Sequence, residues 1–330
     1  MDMSPVDIVV NVYNEEANLA DFLESLLKQT YPNFKVILVD DGSTDRTVEI
    51  AKKYQDHLSV EIVCLPHLGL RGARAKGVER VTNDIFIIFD ADEVIERSCV
   101  EHMVDAFKDP RVAAVGGRTV AREDSWTARG HTIVMLAADQ ALKHKDSITT
   151  ERIRGGCSAY RTAVIKDLGG FVSEDQLIED AEMSWRLQRA GWKVVARDDV
   201  IVYHNDPSGL GGMFMWGYKL GRLGFYTRLH YKEKFLKWHL LVKFGPLSLL
   251  VLALLRPALA AGGAVISFLL FLYYVRKIPG TWVDRFDAWV VFMIKSLGWS
   301  ISFIIHLGIH LGILIQHNLN CVFRILIKKS

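Results

Sequence analysis

Two pairs of acidic residues follow short apolar runs in the first hundred residues. Asp40 and Asp41 close the run KVILVDD, and Asp90 and Asp92 close IFIIFDAD, with Ala91 between them. Because side chains alternate along an extended chain, Asp90 and Asp92 should point to one side and share a cation. Their hard carboxylate oxygens favour Mg²⁺ or Mn²⁺, which can bind a diphosphate and stabilise its departure as a Lewis acid. The sequence therefore predicts a metal-assisted reaction of a phosphorylated substrate.

A further acidic pair, Glu179 and Asp180, begins a segment of helical periodicity that should end at Gly191. A carboxylate in this position could deprotonate an attacking hydroxyl group as a general base. The structural alternative stays open, because Asp is also a preferred N-cap of helices. Asp180 and Glu179 are therefore candidates for catalysis or for helix capping.

Other polar and glycine residues lie between and after these motifs. Arg74, in the segment GLRGARAKG, could contact a diphosphate or remain an exposed helical charge. Gly155 and Gly156 would let a ligand approach the backbone, or they form only a turn. His204 ends the run VIVYH, where its imidazole could bind Mn²⁺ or remain an ordinary loop histidine.

An alternating fold must position these residues. Helical spacing covers Glu16–Gln29 and Asp45–Tyr54, and Ser43 or Thr44 could cap the second helix. Repetition of strand, helix and strand predicts an α/β fold with a doubly wound, mainly parallel sheet. Ligands bind at the carboxyl ends of such strands, so the acidic motifs should converge there. The predicted strands are residues 6–12, 35–40, 60–65 and 85–90.

The ordered set VNVYNEE, VDDGSTDRT, FDAD and IEDAEMSWRLQRAGWKV resembles family two of the glycosyltransferases, which have the GT-A fold. The resemblance covers roughly residues 6–205. It implies an inverting enzyme that transfers a sugar from a uridine or guanosine diphosphate sugar in one displacement. It also implies the Rossmann-like GT-A form of the α/β fold and a Mg²⁺ or Mn²⁺ cofactor.

The resemblance also implies roles for individual residues, alongside structural alternatives. Asp40 and Asp41 could instead cap a turn, and Tyr13 could be a packing aromatic. Binding of the nucleotide sugar is assigned to Asn11, Tyr13, Glu15, Asp40, Asp41, Arg74, Asp90 and Ala91. Binding of the metal is assigned to Asp90, Asp92 and His204, and the acceptor side to Gly155 and Gly156. Catalysis is assigned to Asp180 as the base, with Glu179 in a supporting or acceptor-binding role.

Composition and charge limit other functions. The 40 lysines and arginines balance 38 acidic residues, so global charge does not favour nucleic acid as a partner. The four cysteines are widely spaced without a CxxC pair, which disfavours a zinc site or disulfide framework and fits a reducing compartment. The N-terminal sequence has no basic n-region, so we expect no signal peptide and a cytoplasmic catalytic domain.

Composition changes after about residue 235, where apolar runs approach the length of transmembrane helices. Arg256-Pro257 should break the first two runs into a hairpin, and Gly308 and Gly312 could form a packing seam. A basic cluster flanks the first run, as expected of its cytoplasmic side: Lys232, Lys234, Lys237 and Lys243. We predict a catalytic domain at 1–212, an amphipathic interfacial segment at 213–238, and a multi-pass cell-membrane region at 239–330 with two to four spans, three favoured.

The segment MFMWGYKLGRLGFYTRLHYKEK is aromatic and basic, as expected of a helix at a membrane surface. Trp216 and Arg222 could contact an acceptor there, or only anchor the chain. The QxxRW motif of the family's processive synthases is not matched, so we expect a lipid-linked acceptor such as a polyprenyl phosphate. A processive polysaccharide synthase is the runner-up, and a non-catalytic sugar-nucleotide-binding membrane scaffold is an alternative of another class. The sugar and base stay open, as does a homo-oligomer.

Overall fold

The chain divides into two compact units, Met1–Asp206 and Pro207–Ser330. A computed structural model describes residues 4–143, 149–150, 152–171, 179–205, 209–230 and 238–327. The division falls before residue 212, the boundary expected from the sequence, because a helix of the second unit already begins at Gly209.

The first unit contains one eight-stranded sheet. Its strands are β1 (Val6–Val12), β2 (Phe34–Asp40), β3 (Val60–Cys64), β4 (Ile85–Asp90), β5 (Glu93–Ile95), β6 (Val112–Ala121), β7 (Cys157–Arg161) and β8 (Lys193–His204). The order is β3-β2-β1-β4-β7-β6-β8-β5. The first four strands in this order pair in parallel, whereas β7 is antiparallel to both its neighbours and β5 is antiparallel to β8. The α/β prediction is confirmed, but half of the sheet is mixed.

Helices cover both faces of this sheet, because alternate residues of each central strand are buried on opposite sides. The helices are α1 (Leu19–Leu27), α2 (Thr47–Lys53), α3 (Leu70–Glu79), α4 (Cys99–Ala106), α5 (Trp126–Leu142), α6 (Thr162–Asp167) and α7 (Glu179–Arg189). Val10 of β1 belongs to a core with α1, α2 and α4, and Val9 belongs to a second core with α3, α6 and α7. The doubly wound arrangement is therefore confirmed.

The turns around the first two helices differ in detail from the prediction. Both helices begin later than expected, and neither Ser43 nor Thr44 caps the second one. The N-cap position is Arg46, and the Oδ1 of the preceding Asp45 accepts a hydrogen bond of 3.0 Å from the N–H of Thr47, the first residue of the helix. Ser43 and Thr44 bond to Asn14, which ties the DGSTD turn to the loop after β1. The end of α7 is as predicted, with Gly191 at a φ of 87°.

The second unit is helical, with α8 (Gly209–His230), α9 (Trp238–Leu255), α10 (Pro257–Tyr274) and α11 (Trp282–Ile327). Only Arg256 separates α9 from α10, so the predicted break is confirmed. Among the described residues, one segment is long and apolar enough to cross a membrane, namely Trp282–Leu311, with a mean hydropathy of 1.7. One such helix is weak support for an anchor, because buried core helices have similar composition. The two to four predicted spans are not supported beyond this one, and Lys232, Lys234 and Lys237 lie outside the described residues.

Glycines allow α8 and α11 to approach closely. A Cβ atom added at Gly217 would lie well within 3.0 Å of the carbonyl oxygen of Lys295. A Cβ atom at Gly298 would meet the carbonyl oxygen of Phe214 equally closely. Gly308, in the seam expected from the sequence, has no such atom within 4 Å. The observed seam therefore includes Gly217 and Gly298 and does not involve Gly308.

We expect Gly217→Ala to destabilise the second unit, because the new methyl group meets backbone rather than a movable side chain. Overpacking of this kind typically costs about 1–3 kcal/mol. The matched change Gly308→Ala should be neutral or slightly stabilising, since it enters open space in a helix. Thermal unfolding of the two purified variants in detergent measures the difference. Equal melting temperatures would contradict the close approach at Gly217.

Candidate active site

The carboxyl ends of three parallel strands bring polar side chains together at one edge of the sheet. Asn11 of β1 pairs in register with Val39 of β2 on one side and with Asp90 of β4 on the other. Asp40, the last residue of β2, lies opposite Val12. The motifs around residues 11, 40 and 90 are thus neighbours in space, at the edge where such sheets bind ligands.

The two aspartates of the DDGS turn are buried and accept backbone hydrogen bonds. Asp41 accepts bonds from the N–H groups of Leu68, at 2.6 Å, and Gly69, at 2.9 Å. Asp40 accepts a bond of 3.2 Å from the N–H of Ser43. Both aspartates therefore organise loops, the structural role that the sequence left open, and nucleoside binding by them stays a prediction.

An exposed aromatic pair lies beside these aspartates. Tyr13 is 46% exposed, and the centroid of its ring lies 4.4 Å from the centroid of the His67 ring. His67 Nδ1 lies 3.0 Å from the carbonyl oxygen of Asp41. Tyr13 is therefore not a core aromatic, and its surface is available to a flat ligand. Sequence reasoning missed His67, which carries no motif signal of its own.

Asn11 lies on β1 at this edge, and Glu15 lies in the loop that follows the strand. The buried amide of Asn11 has no hydrogen-bond partner for its Nδ2 or Oδ1 in the described part of the chain. Unpaired buried polar groups are rare, so this amide is a candidate ligand contact, and its binding of the nucleotide sugar stays a prediction. Glu15 accepts a bond of 2.9 Å from Asn18. Partial burial raises the pKa of Glu15, and the nearby carboxylates of Asp92 and Asp90 add to the rise.

The residues around the DxD turn form a compact acidic group. Asp92 Oδ2 lies 3.1 Å from His204 Nε2, a contact made possible because β5 and β8 pair in register at Glu93 and His204. The buried Glu93 accepts a hydrogen bond of 3.3 Å from the N–H of Asp90. Burial, together with the Asp90 carboxylate, raises the pKa of Glu93 well above its ordinary value. Glu93 therefore stabilises the DxD turn from its buried side.

Arg74 joins the DxD motif to the ED motif. It is 3% exposed, so the alternative of an exposed helical charge is wrong. One guanidinium nitrogen, Nη2, donates a bond of 2.8 Å to Asp90 Oδ1, and Nη1 donates to Glu179 Oε1. Burial would lower the pKa of Arg74, but the carboxylates of Glu179 and Asp90 outweigh it and raise the pKa. Contact with a diphosphate stays a prediction.

The dipeptide Gly155-Gly156 lies between the DxD motif and the ED motif. The N–H of Gly155 donates a bond of 3.2 Å to Asp180 Oδ2. A Cβ atom at Gly156 would lie well within 3.0 Å of Asp90 Oδ2, and one at Gly155 would lie 2.9 Å from Arg74 Nη1. Only glycine fits at Gly156 without moving a carboxylate, so this segment is more than a surface turn.

The ED pair splits into a buried and a half-buried carboxylate. Glu179 is 6% exposed and lies 3.9 Å from the guanidinium of Arg71 as well as against Arg74. Burial raises the pKa of Glu179, although Arg74 and Arg71 oppose the rise. Asp180 is half-buried, and its Oδ1 accepts a bond of 2.7 Å from the N–H of Ala181. The more accessible Asp180 is the better placed of the two to meet an acceptor.

The metal assignment to Asp90, Asp92 and His204 stays a prediction. The described residues contain no ready-made cluster of three or more His, Cys, Asp or Glu side chains. Even so, Asp90 and Asp92 supply hard oxygen donors within one turn, the chemistry that Mg²⁺ and Mn²⁺ require. The donor set therefore fits a divalent cation that also takes oxygens from its substrate.

The remaining acceptor candidates, Trp216 and Arg222, belong to α8 in the second unit. The ring of Trp216 lies 4.1 Å from Lys295 Nζ, as a cation–π contact. Arg222 is exposed. Their contact with an acceptor stays a prediction.

Sequence reasoning also missed Arg118. Arg118 lies on β6, two residues beyond Gly116, which pairs with Ser158 of β7. Gly116 faces Ile153 in the same core as α3 and α7, and alternation puts Arg118 on that face too. The buried Nε of Arg118 has no hydrogen-bond partner among the described residues. A signal for such an arginine exists only in the strand register.

The sheet order, the acidic carboxyl edge and the glycine pair between two carboxylate motifs define a glycosyltransferase domain of the GT-A type. Residues 7–169 match the family model described as Glycosyl transferase family 2. This match assigns a family 2 glycosyltransferase domain to the first part of the chain, as the motifs predicted.

Curated relatives and solved structures agree with this assignment. The poly-beta-1,6-N-acetyl-D-glucosamine synthase of Staphylococcus epidermidis is 25% identical over 63% of this chain and 52% of its own length. The Staphylococcus aureus (strain COL) enzyme of the same name is 23% identical over 64% and 53%. The chain thus spans about half the length of the curated relatives it matches.

Two solved structures share the fold at low identity. The mannosyltransferase PcManGT from Pyrobaculum calidifontis, in complex with GDP-Man and Mn²⁺, has a TM-score of 0.59 and 19% identity, covering 91% of this chain and 86% of its own. S. aureus TarS 1-349, in complex with UDP-GlcNAc, has a TM-score of 0.50 and 17% identity, covering 87% and 90%. At these identities the likeness concerns the fold.

Proposed function

We propose that the chain transfers a sugar from a uridine or guanosine diphosphate sugar to a lipid-linked acceptor, with inversion and in a single displacement. The observation that carries the proposal is the meeting of two motifs at Gly155-Gly156. Asp180 bonds to the N–H of Gly155, and Asp90 lies against Gly156. A base and a leaving-group site on two sides of one dipeptide suit attack opposite the departing diphosphate.

The donor would bind along the carboxyl edge of β1, β2 and β4. Tyr13 offers a face for the base, and the unpaired amide of Asn11 offers a donor and an acceptor. Asp90 and Asp92, with His204 nearby, would hold Mg²⁺ or Mn²⁺, which supplies charge neutralisation at the leaving diphosphate. The solved relatives that contain Mn²⁺ or nucleotide sugars support this arrangement.

Two features favour a phosphorylated lipid as the acceptor. Arg118 offers a guanidinium on the face of the sheet that carries the ED motif, and guanidinium groups bind phosphate well. The second unit exposes many large apolar side chains, which soluble surfaces seldom do. Among them are Leu254, Leu255, Leu259, Leu270 and Tyr273. We infer that this unit contacts the bilayer, through the candidate helix in α11 and the shorter α9 and α10.

A processive polysaccharide synthase is the second candidate, because the two staphylococcal relatives are named poly-beta-1,6-N-acetyl-D-glucosamine synthases. The two candidates differ in product length. A ladder of long chains on a gel would contradict one addition per acceptor, whereas a single added sugar would contradict the synthase.

The proposed function is tested by release of nucleoside diphosphate from a panel of UDP and GDP sugars. The full chain, solubilised in detergent, is assayed with Mn²⁺ or Mg²⁺ and with or without a polyprenyl phosphate. We expect release that requires the metal, one donor and the lipid. Release indifferent to the lipid would overturn the lipid acceptor, and no release with any donor would overturn transfer.

We expect Arg118→Gln to raise the KM for a polyprenyl phosphate by about tenfold or more, because a hydrogen bond to a charged group is lost. The KM for the donor and its slow hydrolysis without acceptor should be unchanged. Steady-state kinetics with each substrate varied measures both, and Arg97→Gln, at an exposed arginine, is the matched control. An unchanged acceptor KM would remove Arg118 from the acceptor site.

A further inference from the structure

Arg74 is a buried cation placed between two motifs that have different tasks. Its guanidinium donates to Asp90 of the DxD motif at 2.8 Å and, through its other arm, to Glu179 of the ED motif. Asp90 and Glu179 lie 89 positions apart in sequence numbering, on β4 and α7. One side chain from α3 therefore contacts both motifs.

This arrangement differs from a surface ion pair. The side chains of Arg74 and Glu179 are only 4% and 8% exposed, so their attraction is little screened by water. Removing one member leaves the charge of another unpaired and buried, which is costly. Gly155 fits the arginine closely, since a Cβ atom there would lie 2.9 Å from Nη1. Arg74 therefore cannot rearrange freely without moving the loop of Gly155, whose N–H also bonds to Asp180.

We propose that Arg74 is a positioning residue that holds the Asp90 carboxylate in competition with a divalent cation and ties it to Glu179 at the start of the base helix. The proposal rests on the proposed function and adds a coupling between its two halves. Asp90 binds a cation against the attraction of Arg74, and Glu179 sets the strength of that attraction because it draws on the same guanidinium. A change at Glu179 should therefore alter cation binding at Asp90 without touching it.

The test measures Mn²⁺ affinity directly, by electron paramagnetic resonance of free Mn²⁺, on the full chain in detergent without donor. We expect Arg74→Gln to tighten Mn²⁺ binding by about tenfold, equivalent to about 1.4 kcal/mol. Glu179→Gln should weaken Mn²⁺ binding, because Asp90 is then the one carboxylate of this pair that still attracts Arg74. Turnover should fall in both variants, since the ED helix loses its tie. Arg80→Gln, at the exposed end of the same helix, is the matched control.

Opposite shifts in Mn²⁺ affinity are the signature that a merely structural role would not produce. Weaker or unchanged binding in Arg74→Gln, equal shifts in both variants, or absence of Mn²⁺ binding in the unaltered chain would each overturn the coupling. If Arg74→Gln loses its near-ultraviolet circular dichroism and is therefore misfolded, two other variants test the coupling. Glu179→Gln should bind Mn²⁺ more weakly than the unaltered chain, and Arg74→Lys should bind it with near-normal affinity. Opposite shifts without any sugar transfer would overturn the proposed function while leaving the coupling in place.

Discussion

Asp180→Asn should reduce turnover by about 10²–10⁴-fold while leaving donor affinity within about twofold, the range expected when a general base is removed. The reason is its position. Asp180 is the half-buried member of the ED pair, held by the N–H groups of Gly155 and Ala181. Asparagine has nearly the same size but cannot accept the proton of the attacking hydroxyl group. Single-turnover kinetics and calorimetric titration of the donor measure the two effects separately.

Two comparisons make this result specific. Asp56→Asn changes an exposed aspartate of the first unit and should leave kinetics unchanged. Asp180→Glu keeps the acid but moves it by one methylene, so turnover should fall less than in Asp180→Asn. Near-normal turnover of Asp180→Asn would remove Asp180 from the mechanism. A parallel loss of donor affinity would instead show that Asp180 shapes the donor site.

Gly156→Ala should lower turnover by about 10²-fold, because displacement of a reacting group by about 1 Å can have this effect. The added methyl group would lie well within 3.0 Å of Asp90 Oδ2 and about 3.0 Å from Glu93 Oε1. Gly156 is not among the glycines with positive φ, so alanine suits its backbone and the clash alone is tested. Mn²⁺ affinity should fall together with turnover, since Asp90 must move.

Neighbouring glycines provide the controls. Gly155→Ala meets the end of the Arg74 side chain at 2.9 Å and should have a milder effect. Gly262→Ala enters open space in α10 and should have none. If Gly156→Ala kept normal turnover and Mn²⁺ affinity, the dipeptide would be too far from Asp90 in solution to shape the site.

The sequence predicted the first half of the fold well, because buried parallel strands have a strong local signal. The β-branched runs before Asn11, Asp40 and Asp90 became β1, β2 and β4 almost residue for residue. The mixed half was not predicted. Whether β7 runs parallel or antiparallel depends on the path of the connections around it, which short apolar runs do not encode.

The membrane region shows a similar limit. Composition predicted apolar helices and the break at Arg256, and both are present. It also predicted two to four spans, whereas the described residues contain one helix of sufficient length and hydropathy. The close seam at Gly217 was missed, because the choice of facing glycines depends on how two helices pack and not on spacing within one of them.

The sequence by itself determined the family, the α/β fold and the motifs that carry the chemistry, because these depend on residue type and local spacing. Only the tertiary structure decided that Arg74 is buried between Asp90 and Glu179, that Gly156 lies against Asp90, and that Arg118 lies on the same face. These relations join residues far apart in the chain. They follow from strand order and register, which bring distant segments within hydrogen-bonding distance and which no local pattern specifies.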